Sequence, residues 1–130
     1  MPAKKTTILA ADDDPQILRL VERMLRPQSF KILVAPRPRQ ALEICEREPV
    51  DLLISDVAMP EMDGNKLAEK VLTLRPETSI LLISGRYKQH PPVAQPGNVK
   101  FLRKPFFPSD LLDALRGLVP DLVGDSEPAP

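Results

Sequence analysis

The sequence predicts a three-layer α/β domain, a doubly wound parallel sheet with helices on both faces. Three observations carry this expectation. Apolar runs of strand length recur at 7–11, Phe30–Ala35, Leu52–Asp56, Ser79–Ser84 and Val99–Arg103. Helical patterns with their own caps and breakers stand between most of them. The runs are also close to continuously apolar, as strands buried on both faces must be. At 130 residues the chain is one domain, long enough to bury a core.

Each element has a local reason. After the first strand, Asp14 offers an N-cap carboxylate and Pro15 fits the first helical position. Ile17, Leu18, Leu20, Val21, Met24 and Leu25 keep helical spacing until Pro27. Pro38 opens a second helix whose buried face is Ala41, Leu42, Ile44 and Cys45, and Pro49 ends it. Gly64–Leu74 reads as the third helix. Ser109 reads as the cap of a last helix running through Leu111, Leu112, Leu115 and Leu118. Between the fourth and fifth strands, Pro91, Pro92, Pro96 and Gly97 leave room for only a shortened or irregular fourth helix within 86–98. No repeat is visible.

Composition excludes several classes. Eighteen basic and eighteen acidic residues cancel, which gives no electrostatic case for direct nucleic acid or membrane binding. A single cysteine rules out an internal disulfide, and Cys45 reads as a small core residue. No signal segment or membrane-length apolar run appears, so a cytoplasmic location is expected. The expected organisation is a leader over 1–5, a domain over 6–119, and a tail or linker start over 120–130. That tail is rich in proline and acid, and its composition predicts disorder.

The chemistry gathers at strand ends. Asp12 and Asp13 follow the first strand, Asp56 closes the third, Ser84 the fourth, and Lys104 follows the fifth. In a doubly wound sheet the first and third strands are neighbours, so three carboxylates converge at the edge where such folds bind ligands. Their mutual repulsion is relieved by a divalent cation, and oxygen donors of this kind suit magnesium. Asp56 is then a candidate nucleophile toward phosphorus, with Lys104 as the compensating ammonium and Ser84 as a hydroxyl donor. Read singly, each has a plainer role: a solvated helix start for Asp12–Asp13, a surface lysine, a turn serine. Asp14 is read as a cap outright. Pro105 counts against the surface-lysine reading, because an X-Pro bond after a strand fixes the turn and cis is accessible there. His90, the sole histidine, lies in the proline-rich segment and is expected to be neither phosphodonor nor metal ligand.

From Thr6 to Val119 the chain resembles the receiver domain of two-component response regulators. The resemblance rests on Ile8-Leu9-Ala10-Ala11-Asp12-Asp13-Asp14-Pro15 and on the stretch from Asp51 through Asp56 to Met62-Asp63-Gly64. It continues with Leu81-Leu82-Ile83-Ser84-Gly85 and Phe101-Leu102-Arg103-Lys104-Pro105-Phe106. It implies a flavodoxin-like (βα)5 fold with strand order 2-1-3-4-5. Asp56 would be the phosphoacceptor and Asp12 and Asp13 the acidic pocket. Asp13 and Asp56 would bind magnesium directly, together with the backbone carbonyl of Ala58, while Ser84 and Lys104 contact the phosphoryl group.

Phe101 matches the aromatic switch position of that family, although a core role on a short strand would also suit it. The implied function is a signalling switch in a phosphorelay, charged by a histidine kinase or phosphotransfer protein and read by a downstream effector. Such a domain assists its own phosphorylation and autodephosphorylation without being a turnover enzyme. The irregular 86–98 segment and the short tail resemble stand-alone or hybrid-kinase receivers, with no effector domain expected. Two other readings stand beside this one. One is a receiver-fold protein-binding module that works without phosphorylation. The other is a metal-dependent aspartyl phosphatase, which commonly carries a second acid two residues past its nucleophile, where this chain has Ala58.

Overall fold

A computed structural model describes residues 6–27, 29–59, 61–85 and 99–118, with Ser84 described by its backbone alone. The elements are β1 (Thr6–Ala11), α1 (Pro15–Leu25), β2 (Phe30–Ala35), α2 (Pro38–Arg47), β3 (Leu52–Asp56), α3 (Gly64–Leu74), β4 (Ser79–Ser84), β5 (Val99–Arg103) and α4 (Pro108–Arg116). The strands form one parallel sheet in the order β2-β1-β3-β4-β5. This is the expected doubly wound order. The proposed irregular fourth helix, His90, the leader and the tail lie outside the described residues.

The two faces of the sheet sort by strand parity, because successive side chains in a strand point to opposite sides. Ile8, Ala10, Leu52, Ile54, Leu81 and Ile83 face one layer, where they meet Leu18, Val21 and Leu25 of α1 and Leu111 and Leu115 of α4. Leu9, Ala11, Leu53, Ile80 and Leu82 face the other, against Ala41 and Cys45 of α2 and Leu67, Ala68 and Val71 of α3. Central strands therefore read as unbroken apolar runs because both sets are buried. Burial also pushes the Cys45 thiol up to about 11, so it serves as an inert core filler. Leu20 keeps the helical spacing but stands off the buried stripe. It lies 37% exposed, beside the sector held by Leu18, Val21 and Leu25.

The helix starts behave as their residues dictate, with one correction. Asp14 accepts from the Gln16 N–H at 2.9 Å and Pro15 takes the first helical position. Asp63 caps α3 in the same way, accepting from Lys66 N–H at 2.9 Å. Ser109, however, does not cap the last helix: Phe107 does, and Ser109 lies inside the first turn. Pro108 is favoured at the first helical position, and Asp110 reaches back to accept from the Phe107 N–H at 2.8 Å. Those two preferences outweigh the one serine. Among the described residues, no helix is long and apolar enough to cross a membrane.

Candidate functional site

The site is built at the carboxyl edge of β1, β3 and β5. The Asp12 N–H donates to the Ala35 carbonyl at 3.2 Å, which carries the β1–β2 ladder one residue past the strand. Asp12 Oδ1 then accepts from the Asp14 N–H at 2.9 Å, turning the chain into α1 and fixing the carboxylate inward. Asp12 is 3% exposed and Asp56, the last residue of β3, 7%. Asp13 stays exposed. One carboxylate oxygen from each of Asp12, Asp13 and Asp56 lies within 4.8 Å of the others.

Lys104, just past β5, brings its ammonium to 3.6 Å from Asp56 Oδ1 and 4.0 Å from Asp12 Oδ2. Its bond to Pro105 is cis. Three acids against one lysine leave an excess of negative charge. The consequence shows in the acidities. Burial pushes Asp12 up from 3.8 to about 6, helped by the charges of Asp56 and Asp13 and opposed by the Asp14 N–H and Lys104. Asp56 is also raised, again by burial first, while Lys104 and the Ala58 N–H pull it back.

The donor set fits a hard divalent cation. All of its ligand atoms are carboxylate oxygens, and Asp12 Oδ2 is buried without a hydrogen-bond donor. A cation there would satisfy that oxygen and offset the burial and, to a lesser degree, the repulsion that raise the two acids.

Two supports around the site were only dimly visible in the sequence. Gly64 packs so closely under β3 that a methyl group there would overlap the Asp56 carbonyl oxygen and crowd Val57 Cα, while its N–H donates to Val57 O at 2.8 Å. The Asp-Gly pair was a turn signal and gave no hint of this contact. Glu61 adopts a left-handed backbone with φ of 72°, and Arg37 meets it at 3.3 Å. No local pattern announces either fact. Phe101 pairs in register with Leu82 and lies half-buried against the α2/α3 layer.

The expected residues Asp12, Asp13, Asp56 and Lys104 thus come together. The Ala58 N–H favours the charged form of Asp56. Ser84 ends β4 beside β5 by its backbone.

Comparison with known proteins follows the same lines. A family model, the response regulator receiver domain, matches residues 8–116. The chain is 31% identical over 114 residues to the response regulator receiver protein CpdR of Brucella abortus (strain 2308), covering 86% of this chain and 95% of CpdR. It is 32% identical over 131 residues to the transcriptional regulatory protein GlrR of Escherichia coli (strain K12). That match covers 99% of this chain but 29% of GlrR, so the chain spans less than a third of that relative's length. The chemotaxis response regulator CheY4 of Vibrio cholerae superposes with a TM-score of 0.77 at 29% identity, over 89% of this chain and all of CheY4. The chain belongs to the response regulator receiver domain family of two-component signalling.

Proposed function

We propose that this receiver domain is a phosphorylation switch that takes a phosphoryl group from a histidine kinase or phosphotransfer protein onto Asp56. The observation that carries this reading is the convergence of three carboxylates within 4.8 Å beside an ammonium 3.6 Å from Asp56. A carboxylate oxygen of Asp56 attacks phosphorus in line. The bond from phosphorus to the donor's imidazole nitrogen breaks, and that nitrogen keeps the electron pair and recovers a proton.

Asp12, Asp13, Asp56 and the Ala58 carbonyl would hold the cation. When bound, magnesium supplies the charge neutralisation that lets an anionic nucleophile approach an anionic phosphoryl group. Lys104 takes one phosphoryl oxygen by ion pairing and the Ser84 hydroxyl donates to another. Drawing Ser84 toward the phosphoryl group opens or closes space for the Phe101 ring, so charge at Asp56 becomes a shape change near β4 and β5. Water later attacks phosphorus, the bond from phosphorus to the Asp56 oxygen breaks, and inorganic phosphate leaves with Asp56 again a carboxylate. Stand-alone or kinase-linked action in the cytoplasm is part of the same reading.

The test is intact-protein mass after incubation with acetyl phosphate, with and without magnesium. One magnesium-dependent phosphoryl adduct that is absent in Asp56→Asn is expected. Labelling of Asp56→Asn at the normal rate would overturn the assignment.

A further inference from the structure

The loop 57–63, described apart from residue 60, joins β3 to α3 and carries Ala58. Its two ends are pinned by the backbone. The Val57 N–H donates to Ile83 O at 2.9 Å, and the Gly64 N–H donates to Val57 O at 2.8 Å. Met59 is buried in the α2/α3 layer. Near its outer part, Glu61 holds a φ of 72°, the one positive φ at a non-glycine residue among those described. Left-handed backbone is unfavourable for a residue with a Cβ and persists where something else fixes it.

Arg37 is placed to do that. It occupies the N-cap of α2 yet makes no capping bond with its side chain. Instead its guanidinium crosses from the β2–α2 connection to Glu61, Nη1 to Oε2 at 3.3 Å. Arg37 itself lies two residues past Ala35, whose carbonyl receives the Asp12 N–H. The pair therefore ties the Asp12 side of the site to the Ala58 side.

We infer that Arg37 and Glu61 form a strap that holds the 57–63 loop in the shape presenting Ala58 to the magnesium site. They are positioning residues for metal binding. The inference rests on the phosphorylation reading above. Their side chains are 63% and 55% exposed, so the effect is modest and salt-sensitive.

The test is magnesium affinity of the full chain by calorimetry, in Arg37→Gln, Glu61→Gln, the double variant and the charge swap Arg37→Glu with Glu61→Arg. Each single variant and the double variant should weaken binding alike, by about threefold, since all break one pair. The swap should restore most of the loss, and amide exchange at Ala58 should quicken in the singles and the double variant but not in the swap. Unchanged affinity in the singles, or a double loss equal to the product of the two, would overturn the strap. Asp13→Ala separates the two levels of argument. Magnesium binding that vanishes in Asp13→Ala but ignores Arg37 sinks the strap alone. Binding that is absent from the parent chain, or that survives Asp13→Ala, sinks the metal site and the strap with it.

Discussion

Lys104 sets its ammonium 3.6 Å from Asp56 Oδ1, longer than a hydrogen bond and short enough for a strong ion pair in a mostly buried site. It is the one cation found at this acidic cluster among the described residues, and it also faces Asp12 at 4.0 Å. Replacement by methionine keeps the stem and removes the charge. Asp56 should then titrate higher still, and phosphoryl labelling by acetyl phosphate should slow by about a hundredfold, the scale of losing one preorganised charge partner. Labelling rates at fixed magnesium check this.

Asp12 titrates near 6 in the folded chain against 3.8 ordinarily, so the folded state holds its proton more tightly than the unfolded state does. The sign follows from linkage. Between 3.8 and about 6 the folded form binds more protons, so this group's contribution erodes stability as pH rises through that window. Asp12→Asn should therefore stabilise the metal-free protein at pH 7, by on the order of 1–2 kcal/mol after allowance for neighbouring relaxation. It should flatten the pH profile between 4 and 6.5 and weaken magnesium binding at the same time. Urea unfolding across pH in a chelator checks the stability arm.

Gly64→Ala should be costly although the glycine sits at a helix start, where alanine is ordinarily tolerated. The added methyl has no room against the Asp56 carbonyl oxygen and Val57 Cα, both backbone atoms that cannot rotate away. A loss of about 1–3 kcal/mol, typical of overpacking, should accompany weaker magnesium binding, because the strain falls on the peptide of Asp56 itself. Paired unfolding and calorimetry measurements check it.

The last helix offers a cleaner test of local chemistry. Ser109→Ala should leave stability within about 0.5 kcal/mol, since its hydroxyl is not the cap. Asp110→Ala should cost roughly 1 kcal/mol by leaving the Phe107 N–H without its acceptor. Thermal unfolding of the two variants side by side decides between the two capping schemes.

How far the sequence reaches can be judged from these residues. Leu52-Leu53-Ile54 announced a strand buried on both faces, and Leu53 and Ile54 do point to opposite layers. Asp14-Pro15 announced a capped helix because the capping carboxylate and the N–H it accepts from lie two residues apart. Asp12, Asp13, Asp56 and Lys104 were legible as a site because topology alone brings strand ends together. The Arg37–Glu61 contact spans 24 residues and answers to no spacing rule. The left-handed Glu61 was equally silent, since glutamate carries no turn signal. Ser109 misled because a good cap residue sat directly between a proline and an aspartate that jointly fixed another start.

The phosphoryl group's address is the central claim, and borohydride reduction tests it most directly. An aspartyl phosphate is a mixed anhydride that borohydride reduces to homoserine, releasing phosphate and marking the residue permanently. Protein labelled with acetyl phosphate and magnesium, then reduced and mapped by peptide mass, should carry homoserine at position 56 and retain aspartate at 12, 13 and 63. Homoserine at Asp12 or Asp13, or a phosphoryl adduct that leaves Asp56 intact after reduction, would contradict the account.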